Sequence, residues 1–122
     1  MILGFKERFI MPILELTKLH TIREDKHNRW VAGRLLQVCT GVRSKNYKEH
    51  TRFLCSGVQE ISIRSSEHQI YIWNGTEMKQ LPKEEHLQFA INDGFEDEAS
   101  FWAWFKDDIR GKIIHFTDKR YV

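Results

Sequence analysis

Apolar residues in this chain come in short runs separated by polar stretches, and most of the runs hold the β-branched residues that favour strands. Ile2 to Phe5 reads as an opening strand. Phe9, Ile13 and Leu16 then fall at helical spacing, which predicts a short helix over Arg8 to Leu16, with Pro12 tolerated near its first turn. Leu19 to Arg23 is a compact strand-forming run, and the polar stretch Glu24 to Asn28 behind it has the composition of a loop. Gly33 precedes another strand, Leu35 to Thr40, and the basic segment Gly41 to His50 forms a second exposed loop. From Phe53 to Ile63 the positions of Leu54, Val58, Ile61 and Ile63 predict one long strand bent at Gly57.

Gln69 to Trp73 is a further strand, and the Asn74-Gly75 pair after it is the strongest hairpin signal in the chain, with Thr76 to Leu81 as the expected partner. Pro82 suits the first position of a helix running to about Asp93, and Gly94 stands where a left-handed cap ends it. Asp97 caps a further helix in which Phe101, Trp104 and Phe105 share a core face and Trp102 lies at its margin. Gly111 precedes a last strand, Lys112 to Phe116, with the chain running on to Tyr121. Many short strands, two or three helices and no regular strand–helix–strand alternation predict an α+β fold, specifically a small mixed barrel.

Composition narrows the class. The 122 residues match the size of one domain, 41% hydrophobic and 12% aromatic residues supply a core, and a 30% charged fraction fits a soluble surface. No apolar run approaches the roughly 20 residues that cross a bilayer, and the first residues lack the features of a signal peptide, so a cytoplasmic protein with no membrane partner is expected, as a monomer or weak homodimer. Cys39 and Cys55 lie in strand-like runs without Cys-x-x-Cys spacing and are expected to be reduced core thiols. The histidines show no ligand spacing, so no metal and no other cofactor is expected, and His20 and His115 read as half-buried strand residues.

The formal net charge of +2 conceals an uneven distribution. Residues 1–56 carry eleven Lys/Arg against five Asp/Glu, leaving eight against twelve for the remainder. The basic half favours a face that attracts phosphates or nucleic acid, and the acidic half repels them. Arg23, Lys26, Arg29 and Trp30 gather at the first loop, and Arg43, Lys45, Tyr47, Lys48 and Arg52 in or beside the second. Basic side chains neutralise phosphates and aromatic faces stack bases, at about 1 to 3 kcal/mol per base. A solvated charged loop has the same composition, and Glu24, Asp25 and Glu49 dilute the field.

Candidate chemistry centres on Lys18, Thr21 and Arg23. In an extended strand Thr21 and Arg23 project to the same side, and Lys18 can reach that side on its flexible stem. A hydroxyl beside a desolvated amine is one arrangement that makes an activated nucleophile. An edge strand with a surface lysine and an ion-paired arginine has the same pattern.

The run from Phe5 to Gly33, FKERFIMPILELTKLHTIREDKHNRWVAG, resembles the opening of ASCH-domain proteins, a branch of the PUA-like superfamily. There a short strand and a helix lead to a Gly-x-Lys-x-x-Thr-x-Arg type motif, a polar loop, and a glycine before the next strand. Lys18, Thr21, Ile22, Arg23 and Gly33 match these elements, and Glu15-Leu16-Thr17 replaces the small-Gly-x that precedes the lysine. Ala90 to Phe95 is similar to the family's acidic residue before Gly-Phe, whereas residues 41–80 lie outside the resemblance. The resemblance implies a PUA-like pseudobarrel whose cleft, lined by Lys18, Thr21, Arg23 and Asp93, binds RNA, a nucleotide or a modified nucleoside. It is closest to the family's small bacterial acetylcytidine amidohydrolases. For that branch it implies Thr21 as nucleophile, Lys18 as its activating base, and Asp93 as the proton-transfer group where those enzymes have a glutamate. Glu84 or Glu85, about two turns earlier, are the alternatives to Asp93.

Overall fold

Strand-forming runs become eight strands, and three short helices flank them, in a computed structural model that describes all of residues 1–122. In chain order these are β1 (Ile2–Gly4), α1 (Ile10–Leu14), β2 (His20–Arg23), β3 (Leu35–Thr40), β4 (Lys48–Leu54) and β5 (Gly57–Arg64). Then follow β6 (Gln69–Trp73), β7 (Met78–Gln80), α2 (His86–Asn92), α3 (Glu98–Trp104) and β8 (Ile109–His115). The fold is α+β and mostly sheet. β1, β3 and β4 form a small sheet, and the larger one has the order β2-β8-β5-β6-β7. Only the β1–β3 pair is parallel, and no ladder joins the two sheets into one closed barrel.

Period-two alternation in the large sheet sorts its side chains. Ile22, Ile61, Ile63, Ile70, Ile72 and Ile113 are buried, and His20, two residues before Ile22 and so on the same face, sets its ring 5.2 Å from Phe89 of α2. Leu3, Leu36 and Val38 of the small sheet join the same cluster of 23 buried residues. Cys39 and Cys55 are both free and buried.

Several boundaries differ from expectation. Phe53 to Ile63 is two strands in different sheets, broken at Cys55 and Ser56. The first of them starts at Lys48, inside the expected loop, because β4 is an edge strand whose polar sequence KEHTR gives no apolar alternation. The hairpin after Trp73 forms, but β7 begins only at Met78: Asn74 Oδ1 accepts from the backbone N–H of Thr76 and Glu77, at 2.9 and 3.0 Å, and so holds a four-residue turn. β8 begins three residues earlier than expected and runs through Gly111, where a Cβ would lie 2.3 Å from the carbonyl oxygen of Arg23. A glycine there lets β2 close against β8.

Asp97 caps α3 as expected, its carboxylate accepting from Ser100 N at 2.8 Å. The aromatic face of α3 differs: Phe101, Trp102 and Phe105 are buried, and Trp104 is 42% exposed. His20 and His115 are fully buried instead of half-buried.

Candidate functional site

β2 has one face in the core and the other in a cleft. While His20 and Ile22 pack inward, Thr21 and Arg23 line a cavity of about 390 Å³ together with Lys18, Asp93 and the aromatic residues Phe5, Phe9 and Trp104. Lys18, Thr21 and Asp93, the residues to which the resemblance gives catalytic roles, thus share one cavity with Arg23. A larger depression, of about 550 Å³, lies on the open face of the large sheet among Glu60, Ser62, Arg64, Tyr71 and Arg110. It mixes both signs of charge and holds none of the buried polar groups that converge in the smaller cleft.

The C-terminus of α2 places Asp93. Gly94 adopts φ +96°, and the N–H groups of Gly94 and Phe95 bond the carbonyls of Ile91 and Ala90 at 2.9 and 3.0 Å, closing the helix in a Schellman turn. The free carbonyls at that helix end are met by the segment entering β2: Leu19 N donates to Asn92 O at 2.7 Å, and Lys18 Nζ donates to the Asp93 carbonyl. A cation at a helix C-terminus is favoured by the helix dipole. Lys18 Nζ also donates to Asp93 Oδ1 at 3.3 Å. Gly94 has to be glycine for a second reason, since a Cβ there would lie 2.8 Å from Lys18 Cδ and 2.9 Å from Phe9 Cδ1.

Burial dominates the electrostatics. It pushes the Lys18 amine below the usual lysine range, and the neighbouring Asp93 carboxylate opposes that shift. Burial likewise lowers Arg23, again opposed by Asp93. Arg23 donates from Nη2 to Gly4 O at 2.8 Å and from Nε to Thr21 Oγ1 at 3.4 Å, so the direct partner of Lys18 is Asp93 and that of Thr21 is Arg23. Both cations face aromatic rings: Lys18 Nζ is 4.9 Å from the Phe9 centroid, and the Arg23 guanidinium is 4.9 Å from that of Phe5. At the rim, Arg8 and Lys6 sit 5.1 and 5.6 Å from the Trp104 ring.

Behind the cleft Asp93 Oδ1 meets His20 Nδ1 at 3.1 Å, and His20 Nε2 meets the Tyr121 hydroxyl at 2.6 Å. Tyr121 accepts from Asn92 Nδ2 at 3.0 Å, and Asn92 Oδ1 accepts from Gln88 Nε2 at 2.8 Å. Burial lowers His20 and raises Tyr121.

The remaining expected binding residues lie around this cleft without lining it. Lys26, Arg29 and Trp30 border a shallow depression that meets the cleft through Arg23. Their loop is held from within by Asp25, which accepts from Arg29 N and Trp30 N at 2.7 and 3.0 Å and pairs with Lys112 at 2.9 Å. Trp30 is half-buried against the core, so only part of its ring is open. Arg43 and Lys45 are exposed on the turn after β3, and Val42 of that turn reaches the cleft wall. Tyr47 lies against Cys39, with its hydroxyl 3.3 Å from Sγ, and Arg52 is paired with Glu49 at 2.9 Å. Glu84 and Glu85 are exposed in the turn leading into α2, away from the cleft.

Sequence reasoning did not anticipate Phe5, Phe9 and Trp104 as cleft walls, Lys6 and Arg8 at the rim, or His20 and Tyr121 behind Asp93. One signal was present: Lys6 and Arg8 interleave with Phe5 and Phe9, a basic–aromatic pattern. Comparison with known proteins gives no matching family model, no similar curated protein and no similar solved structure. The cleft's own chemistry therefore carries the functional reading.

Proposed function

We propose that this chain is a PUA-like domain of the ASCH family that binds RNA, a nucleotide or a modified nucleoside in the cleft around Lys18, Thr21, Arg23 and Asp93. On this reading its two sheets are the halves of a PUA-like pseudobarrel. The observation that carries the proposal is the convergence of a buried Lys–Asp pair, Arg23 and three aromatic side chains on one cavity. Aromatic walls suit a planar base, the carboxylate and hydroxyl suit its polar edge, and Arg23, Lys6 and Arg8 suit a phosphate. The exposed cations Lys26, Arg29, Arg43 and Lys45 extend the positive field around the mouth and attract a polyanion.

The test is calorimetric titration of the protein with nucleoside monophosphates and with short single-stranded RNA, at low and at physiological salt. Binding that weakens with salt and falls further in Arg23→Ala and Lys26→Ala is expected. No heat with any of these ligands at low salt overturns the proposal.

A second reading, hydrolysis of an acyl group from the exocyclic amine of a cytidine-like nucleoside, is favoured by one observation. Burial lowers the Lys18 amine towards the range of a working base, and Thr21 lines the same cavity. In this reading Lys18 takes the Thr21 proton, Thr21 oxygen attacks the acyl carbonyl, the cytidine amine leaves with a proton supplied through Asp93, and water then releases the acyl group from Thr21. Lys18 has to turn from Asp93 to Thr21 for the first step. Turnover of acylated cytidine that vanishes in Thr21→Ala and Lys18→Ala supports it, and a wild-type protein that leaves the substrate intact removes it.

A further inference from the structure

The two carboxylate oxygens of Asp93 have different surroundings. Oδ1 is engaged by Lys18 Nζ and His20 Nδ1 at 3.3 and 3.1 Å. Oδ2 has no partner within the protein, and it is not sealed off either, since the sealed and unpartnered side-chain atoms are Trp102 Nε1 and His115 Nδ1. The residue as a whole is only 3% exposed and lines the cleft.

Hydrogen-bond direction along the chain behind Asp93 follows from what each group can do. Amide nitrogens only donate, so Gln88 Nε2 donates to Asn92 Oδ1 and Asn92 Nδ2 donates to the Tyr121 oxygen. Tyr121 then directs its single proton at His20 Nε2. With Nε2 accepting, the ring proton of neutral His20 sits on Nδ1 and points at Asp93 Oδ1. The opposite tautomer sets a nitrogen lone pair against a carboxylate oxygen.

We propose that His20 is a positioning residue: Tyr121 and Asn92 hold it as the Nδ1–H tautomer, and it fixes Asp93 so that Oδ2 faces the cleft as an acceptor for an N–H of the ligand. This rests on the nucleotide-binding reading of the cleft. A base with an exocyclic amine satisfies Oδ2. Held in the same pose, the matching oxo base turns a carbonyl lone pair towards Oδ2 and can offer its ring N–H only by shifting in the cleft, so the site discriminates between the two.

The test measures dissociation constants for two matched pairs, cytidine against uridine monophosphate and adenosine against inosine monophosphate. The wild-type protein is expected to prefer the amino member of a pair by roughly tenfold. Asp93→Asn, in which the amide nitrogen takes the place of Oδ2, shifts the preference towards the oxo member. Tyr121→Phe keeps the packing but frees the His20 tautomer, and cuts the preference several-fold. His20→Asn places an N–H donor where Nδ1 stood and retains the preference, which a merely structural role for the ring does not explain. Equal binding of both members by the wild-type protein overturns the inference and leaves the nucleotide reading standing. Binding of neither member overturns both. A preference unchanged in Tyr121→Phe and Asp93→Asn overturns the roles assigned to His20 and Asp93.

Discussion

Lys18 Nζ donates to both the carbonyl and the carboxylate of Asp93, tying the entry of β2 to the exit of α2 through two side chains that are each 4% exposed. Opposite charges taken out of water attract strongly but have given up their hydration, so breaking such a pair does more harm than the pair itself does good. Lys18→Met is expected to destabilise the fold by about 3 to 5 kcal/mol, because the Asp93 carboxylate is left buried without its cation. Adding Asp93→Asn to Lys18→Met is expected to restore part of that loss. Urea unfolding of both variants checks this, and a double variant less stable than the single one contradicts it.

Gly94→Ala tests the close approach at the end of α2. A left-handed φ of +96° is strained for alanine, at about 1 to 2 kcal/mol, and the new methyl group also meets the Lys18 stem and the Phe9 ring. A loss of about 2 kcal/mol or more in denaturant unfolding, accompanied by weaker ligand binding, is the expected outcome. Unchanged stability would mean that the helix end and the lysine stem do not pack as closely as described.

Acid is expected to destabilise the protein through its buried histidines. Burial, with smaller contributions from the charges of His20 and Arg120, pushes His115 from 6.5 down to about 3, and burial also lowers His20. The unfolded chain therefore takes up protons first as pH falls. The stabilising contribution is complete above about 6.5 and declines towards the folded values, by up to about 1.4 kcal/mol per pH unit for each ring. Comparing urea midpoints at about pH 7 and about pH 5 should reveal a loss of about 2 kcal/mol from His115, with a further loss in the same direction from His20. A midpoint that stays constant would mean these rings accept protons inside the fold.

Trp104 is the exposed tryptophan at the cleft rim, with Arg8 beside its ring. If a base stacks there, Trp104→Ala weakens nucleotide binding by about 1 to 3 kcal/mol and Trp104→Phe by less. The measurement is a fluorescence titration in parallel with thermal melting of each variant. Full affinity in Trp104→Ala places the ligand elsewhere.

Local signals in the sequence predicted the element types well, and tertiary placement poorly. The runs Leu35 to Thr40 and Gln69 to Trp73 became strands with the expected bounds, because Leu36, Val38 and Thr40 in the first and Ile70 and Ile72 in the second fill alternate buried positions. Gly94 and Asp97 behaved as caps because a helix end is decided by a few adjacent residues. β4 was hidden because its sequence opens KEHTR and none of its residues is fully buried, so there is no apolar period to detect. The spacing of Lys18, Thr21 and Arg23 fits an ordinary edge strand equally well, and it was the family resemblance that singled these three out and added Asp93. His20 could not be singled out, since its meaning comes from Tyr121, which is 101 positions away along the chain. Trp104 was assigned to the core because helical spacing cannot tell which side of a short helix a neighbouring element covers.

The order of strands in the large sheet also bears on how the molecule is made. β2 pairs only with β8, so the cleft strand has no ladder partner until His115 comes to lie beside His20 and Ile114 beside Thr21. A growing polypeptide leaves the ribosome with that strand bare until β8 has been synthesised. The nascent chain is open to mispairing at that edge until β8 docks.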